Sequence, residues 1–341
     1  MKALLDAMGG DAGPASPIGA ALSFLRRHPG DEIVLAGNFE TIEETAARYG
    51  MNLDVAGLSF VDCDQVIEPH DEPVRAIRKK RDSSMVRGLD ALRDGEVDFM
   101  VSSGNTGALM AGAVMMIGRI SGVERPGLSS VIPTLDHRDL VMLDLGAGVD
   151  IRPASLLQYA LMGSAYARVI MGKEVPKVAL LNIGTEKGKG DRLRREAYAL
   201  LSEWAGGSAS RFVGNLEARD LLRGDVDVVV TDGFTGNMVL KTFEGTIDAF
   251  REITRRGMNS GILSRLGAML SRPALKRQFE RYTYQAYGGA TLLGVRRPVI
   301  KSHGNANATA IASALEVGVR AVRGDVTGLI ERFLEEVPNG E

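Results

Sequence analysis

The sequence predicts an α/β protein built on a mostly parallel β-sheet covered by helices. Three observations carry that expectation. Short apolar runs alternate with longer helical patterns over most of the 341 residues, as in chains of βα units. Runs such as "VDVVV" and "VALL" lack the apolar–polar alternation of a strand with one wet face, as strands buried on both faces should. Several runs end on glycine-rich tips just before a helical pattern begins. Apolar residues make up 45% of the chain, ample for a sizeable core, and no linker or low-complexity tract divides it. Residues 1–341 therefore read as one large domain.

Taken in order, strands are expected at "ALLDA" (3–7), "EIVLAG" (32–37), "VDFMVS" (97–102), "LVMLDLG" (140–146), "VALLNIG" (178–184), "VDVVVTDG" (226–233) and "PVIKSHG" (298–304). The third and sixth share a device. Residues 97–108, "VDFMVSSGNTGA", match residues 226–237, "VDVVVTDGFTGN", at six of twelve positions. The stretch "ALMAGAVMMIG" (108–118) is apolar over 11 residues, short of the roughly 20 that span a bilayer, and reads as a buried helix. From Arg251 to Arg281 eight basic residues face two acids, a local charge of +6, and Ile262, Leu263, Leu266, Met269 and Leu270 fall at helical spacing before Pro273. Residues 251–285 thus form an excursion, read either as a surface helix packed on the domain or as a basic amphipathic element for a membrane surface or an acidic partner.

Composition excludes several classes of function. With 41 Lys and Arg against 43 Asp and Glu, the net charge of −2 exerts no global pull on nucleic acid. Asp6 and Asp11 interrupt any secretory apolar region near the N-terminus, so a cytoplasmic location is expected. The lone Cys63, between Asp62 and Asp64, reads as structural. "GAGVDI" (146–151) has two of the three glycines of a dinucleotide fingerprint, and "GTEKGKG" (184–190) misses the spacing and hydroxyl of a P-loop. There is no H-E-x-x-H, C-x-x-C or G-x-S-x-G, which removes zinc and serine-hydrolase readings.

What remains is phosphate chemistry. Gly104-Asn105-Thr106-Gly107 and Gly233-Phe234-Thr235-Gly236 each follow a strand and open a helical pattern. Such turns offer backbone N–H groups, a helix N-terminus and a Thr hydroxyl to an anion. They also suit tight β–α turns with Thr as the cap. Further glycine-rich tips at "AMGGD", "LDLGAG" and "IGTEKGKG" point to one shared crevice. Among the four histidines, His303 in "VIKSHGNAN" stands at a strand end beside Lys301, Ser302 and Asn307, so both a structural and a functional role are open to it.

"LDAMGGD" (5–11), "SSGNTGALM" (102–110), "LDLGAGVD" (143–150), "LLNIG" (180–184), "DGFTGN" (232–237), "LKTFEG" (240–245) and "VIKSHG" (299–304) resemble, in order, the motifs of the bacterial acyl-ACP:phosphate acyltransferases of phospholipid synthesis, the PlsX family. The resemblance implies a three-layer α/β/α sandwich akin to isopropylmalate dehydrogenases and phosphotransacetylases, a homodimer, and a protruding helical pair that touches the membrane. It implies that inorganic phosphate attacks the thioester of a long-chain acyl carrier protein to give acyl-phosphate, which feeds a membrane glycerol-3-phosphate acyltransferase. No metal or organic cofactor is expected.

On that resemblance, Lys189, His303, Asn237 and Asp232 are the expected catalytic residues. Gly104, Asn105, Thr106, Gly107, Gly233, Thr235, Gly236 and Asn307 are expected around the phosphate, with His303 and Asn307 stabilising the oxyanion or protonating the thiolate, and Asp232 orienting a donor. Arg75, Arg78 and Lys80 in "PVRAIRKKRDSSM" (73–85), with Arg265, Leu266, Leu270, Arg272 and Lys276, are expected to meet the carrier protein or the membrane, the alternative for the first cluster being a solvated helix face. Gly148 stands where the family usually has Asn, and Arg297-Pro298 replaces a usual Gly and a variable residue. Other readings are a phosphotransacetylase using acyl-CoA, an isopropylmalate-type dehydrogenase, whose acidic metal ligands are missing, and a silent lipid-binding or carrier-binding module.

Overall fold

The computed structural model describes residues 1–11, 13–204, 209–282 and 288–336. Within them eleven strands share one sheet: β1 (Lys2–Asp6), β2 (Glu32–Gly37), β3 (Leu58–Asp62), β4 (Phe99–Ser102), β5 (Gly127–Ile132), β6 (Leu140–Leu143), β7 (Lys177–Asn182), β8 (Arg211–Glu217), β9 (Val228–Val230), β10 (Ala290–Leu293) and β11 (Val299–Lys301). Their order is β3-β2-β1-β4-β11-β10-β5-β6-β9-β7-β8. Strands β3, β2, β1, β4 and β11 form one parallel wing and β6, β9, β7 and β8 another. Between them β10 and β5 pair antiparallel with their neighbours and with each other. The mostly parallel sheet is therefore borne out, with an antiparallel seam at its centre.

Seven of these strands are legible in the sequence. The other four have a physical reason to hide. β3 and β8 are the sheet's edges and only partly buried, while β5 ("GLSSVI") is broken by a pair of serines and β10 ("ATLL") is a four-residue run between glycines.

Helices cover both faces, giving three layers. On one side α1 (Ala15–Arg27), α2 (Phe39–Arg48), α6 (Pro153–Met171), α7 (Arg192–Trp204), α10 (Ala308–Arg323) and α11 (Val326–Glu335) pack on the sheet through Ile18, Phe24, Ile42, Tyr159, Leu201 and Ile311. On the other, α3 (Pro73–Lys79), α4 (Ser84–Arg93) and α5 (Thr106–Gly112) bury Ile77, Met85, Leu89 and Leu109, and the start of α8 (Gly233–Met258) rests Val239, Leu240 and Phe243 on the second wing. Fully burying such side chains stabilises by about 1.5–3 kcal/mol each. Cys63 is buried here, and desolvation, then the charge of Asp82, pushes its thiol up to about 12, in keeping with a structural role.

The expectation for residues 108–118 needs correction. After α5 the chain takes a π-helical turn, Ala113–Ile117, and Val114 and Met115 are exposed rather than buried. The basic excursion is a helical hairpin of the second half of α8 and α9 (Ile262–Arg281). Pro273 lies inside α9 instead of ending it. On a helix with no buried side chain among its described residues, the carbonyl that a proline leaves unpaired can be solvated. Ile262, Met269 and Leu270 are 80%, 69% and 83% exposed, so the apolar stripe does not pack back on the domain. The side chains of Leu263, Arg272 and Lys276, and residues 283–285 of the expected excursion, lie outside the described residues.

Candidate active site

Two strand-turn-helix units, as the repeated sequence predicts, deliver the central residues. At the tip of β4, Ser102 donates its hydroxyl hydrogen bond to Asp6 (2.6 Å) and accepts one from the Gly104 N–H (3.0 Å), while Ser84 donates to the other oxygen of Asp6 (2.6 Å). Asp6 is buried and fully engaged, so it fixes the loops rather than meeting a ligand. Asn105 caps α5, its Oδ1 accepting from the Ala108 N–H (3.0 Å). Its amide donates to the carbonyls of Glu68, Pro69 and Asp71 (3.2, 3.1 and 3.1 Å). The Asn105 side chain is thereby committed to holding the turn. Thr106, the first residue of the helix, is the exposed one.

At the tip of β9, Asp232 caps α8 and accepts from the Thr235 N–H (2.8 Å), the Thr235 hydroxyl (2.7 Å) and Arg194 Nη2 (2.5 Å); Arg194 also donates to Thr235 Oγ1 (2.9 Å). Burial pushes the Asp232 carboxyl up, but these bonds and the Arg194 charge outweigh it and hold it below the usual carboxylate range. Gly233 and Gly236 are glycines for a steric reason. A Cβ on Gly236 would stand 1.8 Å from the Asp144 carbonyl oxygen, and one on Gly233 2.7 Å from Asp144 Oδ2. The turn presses on the loop after β6, where buried Asp144 gathers the N–H groups of Leu128, Gly146, Ala147 and Gly148 (2.9, 3.0, 2.9 and 2.6 Å). At Gly148 a side chain would meet Ile151 Cγ2 at 2.7 Å and the Tyr159 hydroxyl at 3.0 Å, so Asn does not fit that loop as it stands.

The two units meet across a cavity of about 280 Å³ lined by Thr106, Asn237, Lys241, Lys301 and His303, with Leu128, Ser130 and Ala290 of the antiparallel seam beneath. Lys301 ends β11. Its ammonium donates to the carbonyls of Ser103 (3.2 Å) and Ser302. Desolvation lowers its pKa to about 8, with the charge of Lys241 acting the same way and Asp6 and Asp11 opposing. Lys241 is paired with Glu244 (2.7 Å). The lining therefore holds two ammonium groups, the hydroxyl-bearing Thr106, Ser130 and Ser302, a carboxamide, an imidazole and the Glu244 carboxylate that offsets Lys241, a set of donors suited to an oxyanion.

Of the residues expected from sequence, Thr106, Asn237 and His303 come together there. Asp232, Thr235, Asn105 and Asn307, which caps α10 by accepting from the Ala310 N–H (2.9 Å), stand behind them as turn-holders. Gly104 is held behind the turn against Met85, and Gly107 packs on Pro73. Lys189 lies in the loop after β7, half exposed and 4.0 Å from Glu186, outside the cavity lining. Arg194, in the first turn of α7, donates both to Asp191 at the end of that loop (2.7 Å) and to the β9 turn. Lys301 and Lys241 are the functional candidates that the motif reading passed over. Both were visible, Lys301 two residues before His303 and Lys241 four residues after Asn237, one helical turn along the same face.

A second cavity, about 940 Å³, opens beyond Gly107 and is lined by Met110, Val114, Met115, Ile151 and Leu292 with Arg119, Arg125 and Arg152. Val74 of α3 lines its edge, while Arg75 and Arg78 of the same helix are exposed and outside the lining. Lys80 is instead tied to Asp71 (2.5 Å) and the Val66 carbonyl (2.7 Å). Among the described residues no cluster of metal-ligating side chains occurs, and no helix is long and apolar enough to cross a membrane.

Residues 1–329 match the family model described as fatty acid synthesis protein. The phosphate acyltransferase of Lysinibacillus sphaericus is 44% identical over 99% of both chains, and that of Brevibacillus brevis 42% identical over 100% of this chain and 99% of its own. In fold, the chain is similar to phosphotransacetylases from Staphylococcus aureus and Streptococcus pyogenes, each with a TM-score of 0.62 at 16% identity, covering 94% and 95% of this chain and 94% of each of theirs.

Proposed function

The chain belongs to the fatty acid synthesis protein family, whose curated relatives are phosphate acyltransferases, and from that premise we propose that it moves a long acyl chain from acyl carrier protein to inorganic phosphate in the 280 Å³ cavity. The observation that carries the reading is the convergence of Lys301, Lys241, Thr106, Asn237 and His303 on one small space. Phosphate is a nucleophile in its own right near neutral pH, so positioning and charge stabilisation carry most of the catalysis. Lys301 and Lys241 hold the anion and Thr106 orients it. A phosphate oxygen attacks the thioester carbon, and Asn237 and His303 donate to the oxyanion. The C–S bond then breaks, the thiolate takes up the proton that the hydrogen phosphate gives up, and acyl-phosphate and free carrier thiol result. Arg194, Asp232 and Asn105 keep the two turns in register, and Lys189 acts from the neighbouring loop.

The acidic carrier docks on Arg75 and Arg78, beside the larger cavity. The α8–α9 hairpin, with exposed Leu266 and Leu270 among basic residues that include Arg265, rests on an anionic lipid surface. There the product meets a membrane acyltransferase. Mixing the purified protein with palmitoyl carrier protein and phosphate should yield a hydroxylamine-trapped hydroxamate. A product that forms equally without phosphate would sink the proposal.

A further inference from the structure

Three cavities lie in a row over one face of the antiparallel seam. Alternate residues of β5 face them in sequence: Ile132 lines an apolar cavity of about 520 Å³, Ser130 and Leu128 line the polar one, and Pro126, just before the strand, lines the 940 Å³ one. At about 3.3 Å per residue, Pro126 to Ile132 spans about 20 Å. The apolar and polar cavities flank α8 on opposite sides, and Leu240 lines both. The apolar one is walled by Ala218, Leu221, Met238, Val239 and Phe243. Its α8 wall continues at helical spacing into exposed Phe250 and Ile253 of the hairpin.

Resting on the reading of the polar cavity as the phosphate site, we infer that the trough fixes the direction of the donor: the acyl tail passes Leu240 into the 520 Å³ cavity, and the carrier's prosthetic arm lies in the 940 Å³ one. The chemistry of the walls sets that polarity. The end beside Leu240 is lined by eight apolar side chains with three threonines and Arg219, whose guanidinium is paired with Glu217 and Asp220, and it leads to the apolar stripe of the hairpin. The opposite end carries three guanidinium groups and the carboxylates of Glu124 and Asp150; Arg119 donates to the Glu124 carbonyl and Arg152 pairs with the Glu124 carboxylate. It borders α3 through Val74, the helix on which the carrier is proposed to dock. A phosphate-bearing arm fits the arginines, and a hydrocarbon tail does not need them.

The test uses inorganic phosphate, octyl phosphate and dodecyl phosphate as calorimetric ligands for the full chain. Buried methylenes tighten binding by about fourfold each at the limit, so dodecyl phosphate should bind at least about tenfold more tightly than octyl phosphate. Ala218→Trp and Thr246→Trp, both at exposed positions, should erase that gain and leave inorganic phosphate binding unchanged. Val114→Trp, in the larger cavity, should leave all three ligands unchanged and raise the KM for acyl carrier protein equally for eight-carbon and sixteen-carbon chains. A chain-length effect from Val114→Trp but not from Ala218→Trp or Thr246→Trp would overturn the direction. Equal affinities for the two alkyl phosphates would overturn the tail site while leaving the phosphate reading standing. Failure to bind inorganic phosphate would remove that reading itself.

Discussion

Lys301 is the residue on which the polar cavity most depends. Its ammonium, held below the ordinary value of 10.5 at about 8 by burial first and by Lys241 next, keeps two hydrogen bonds to carbonyls and faces the cavity with its remaining capacity. Charge-assisted hydrogen bonds contribute about 1.5–3 kcal/mol, so Lys301→Met should raise the KM for phosphate by about ten- to a hundredfold, read from initial rates. A lowered lysine pKa also fixes a sign for pH. On the proposed role, the side chain is charged below about 8 and holds the anion; as pH rises through 8 the charge is lost, and the KM should climb where phosphate is already mostly dianionic. Lys301→Arg should flatten that climb, and an unchanged profile would remove Lys301 from the site. Lys189→Ala, half exposed and outside the cavity lining, should raise the KM less than Lys301→Met does.

Among the elements, α8 carries two jobs on one rod. Its first turn must press against the Asp144 loop, and the contact leaves no room for a methyl group at 236. Overpacking of this kind costs about 1–3 kcal/mol. Gly236→Ala should therefore lower the denaturant midpoint and weaken phosphate binding together, because the loop and the turn move as one. Its far half belongs to the hairpin, where Leu266 of α9 is 53% exposed. Leu266→Glu should reduce sedimentation with anionic liposomes while the rate on soluble substrate holds. Equal sedimentation would assign the stripe to another surface.

For the whole molecule, the cavity draws Thr106, Lys301 and His303 from one wing of the sheet and Asn237 and Lys241 from beyond the other. A ligand there bridges both wings. Phosphate at a hundred times its Kd should stabilise the fold by about 2.7 kcal/mol, seen as a single cooperative upward shift of Tm. A shift confined to one of two separate transitions would show that the wings unfold independently. The lowered pKa of Lys301 also makes its contribution to stability rise with pH between about 8 and 10.5, since the unfolded chain binds the extra proton in that window.

The sequence by itself determined the wings, the turns and the chemistry. Buried parallel strands must be continuous apolar runs and β–α tips must be short and glycine-rich, so "VDFMVSSGNTG" and "VDVVVTDGFTG" announce both, and the ordered motifs announce a phosphate acyltransferase. Tertiary structure alone decided which motif residues line the polar cavity. Asn105, Thr235 and Asp232 carry the polar groups of binding residues yet spend them on capping and bracing, a distinction that depends on neighbours 34 to 41 residues away. It also decided the seam. β5 is broken by a pair of serines and β10 is four residues set between glycines, so neither reads as a buried strand, and only their pairing between the two wings makes them the floor over which the three cavities lie.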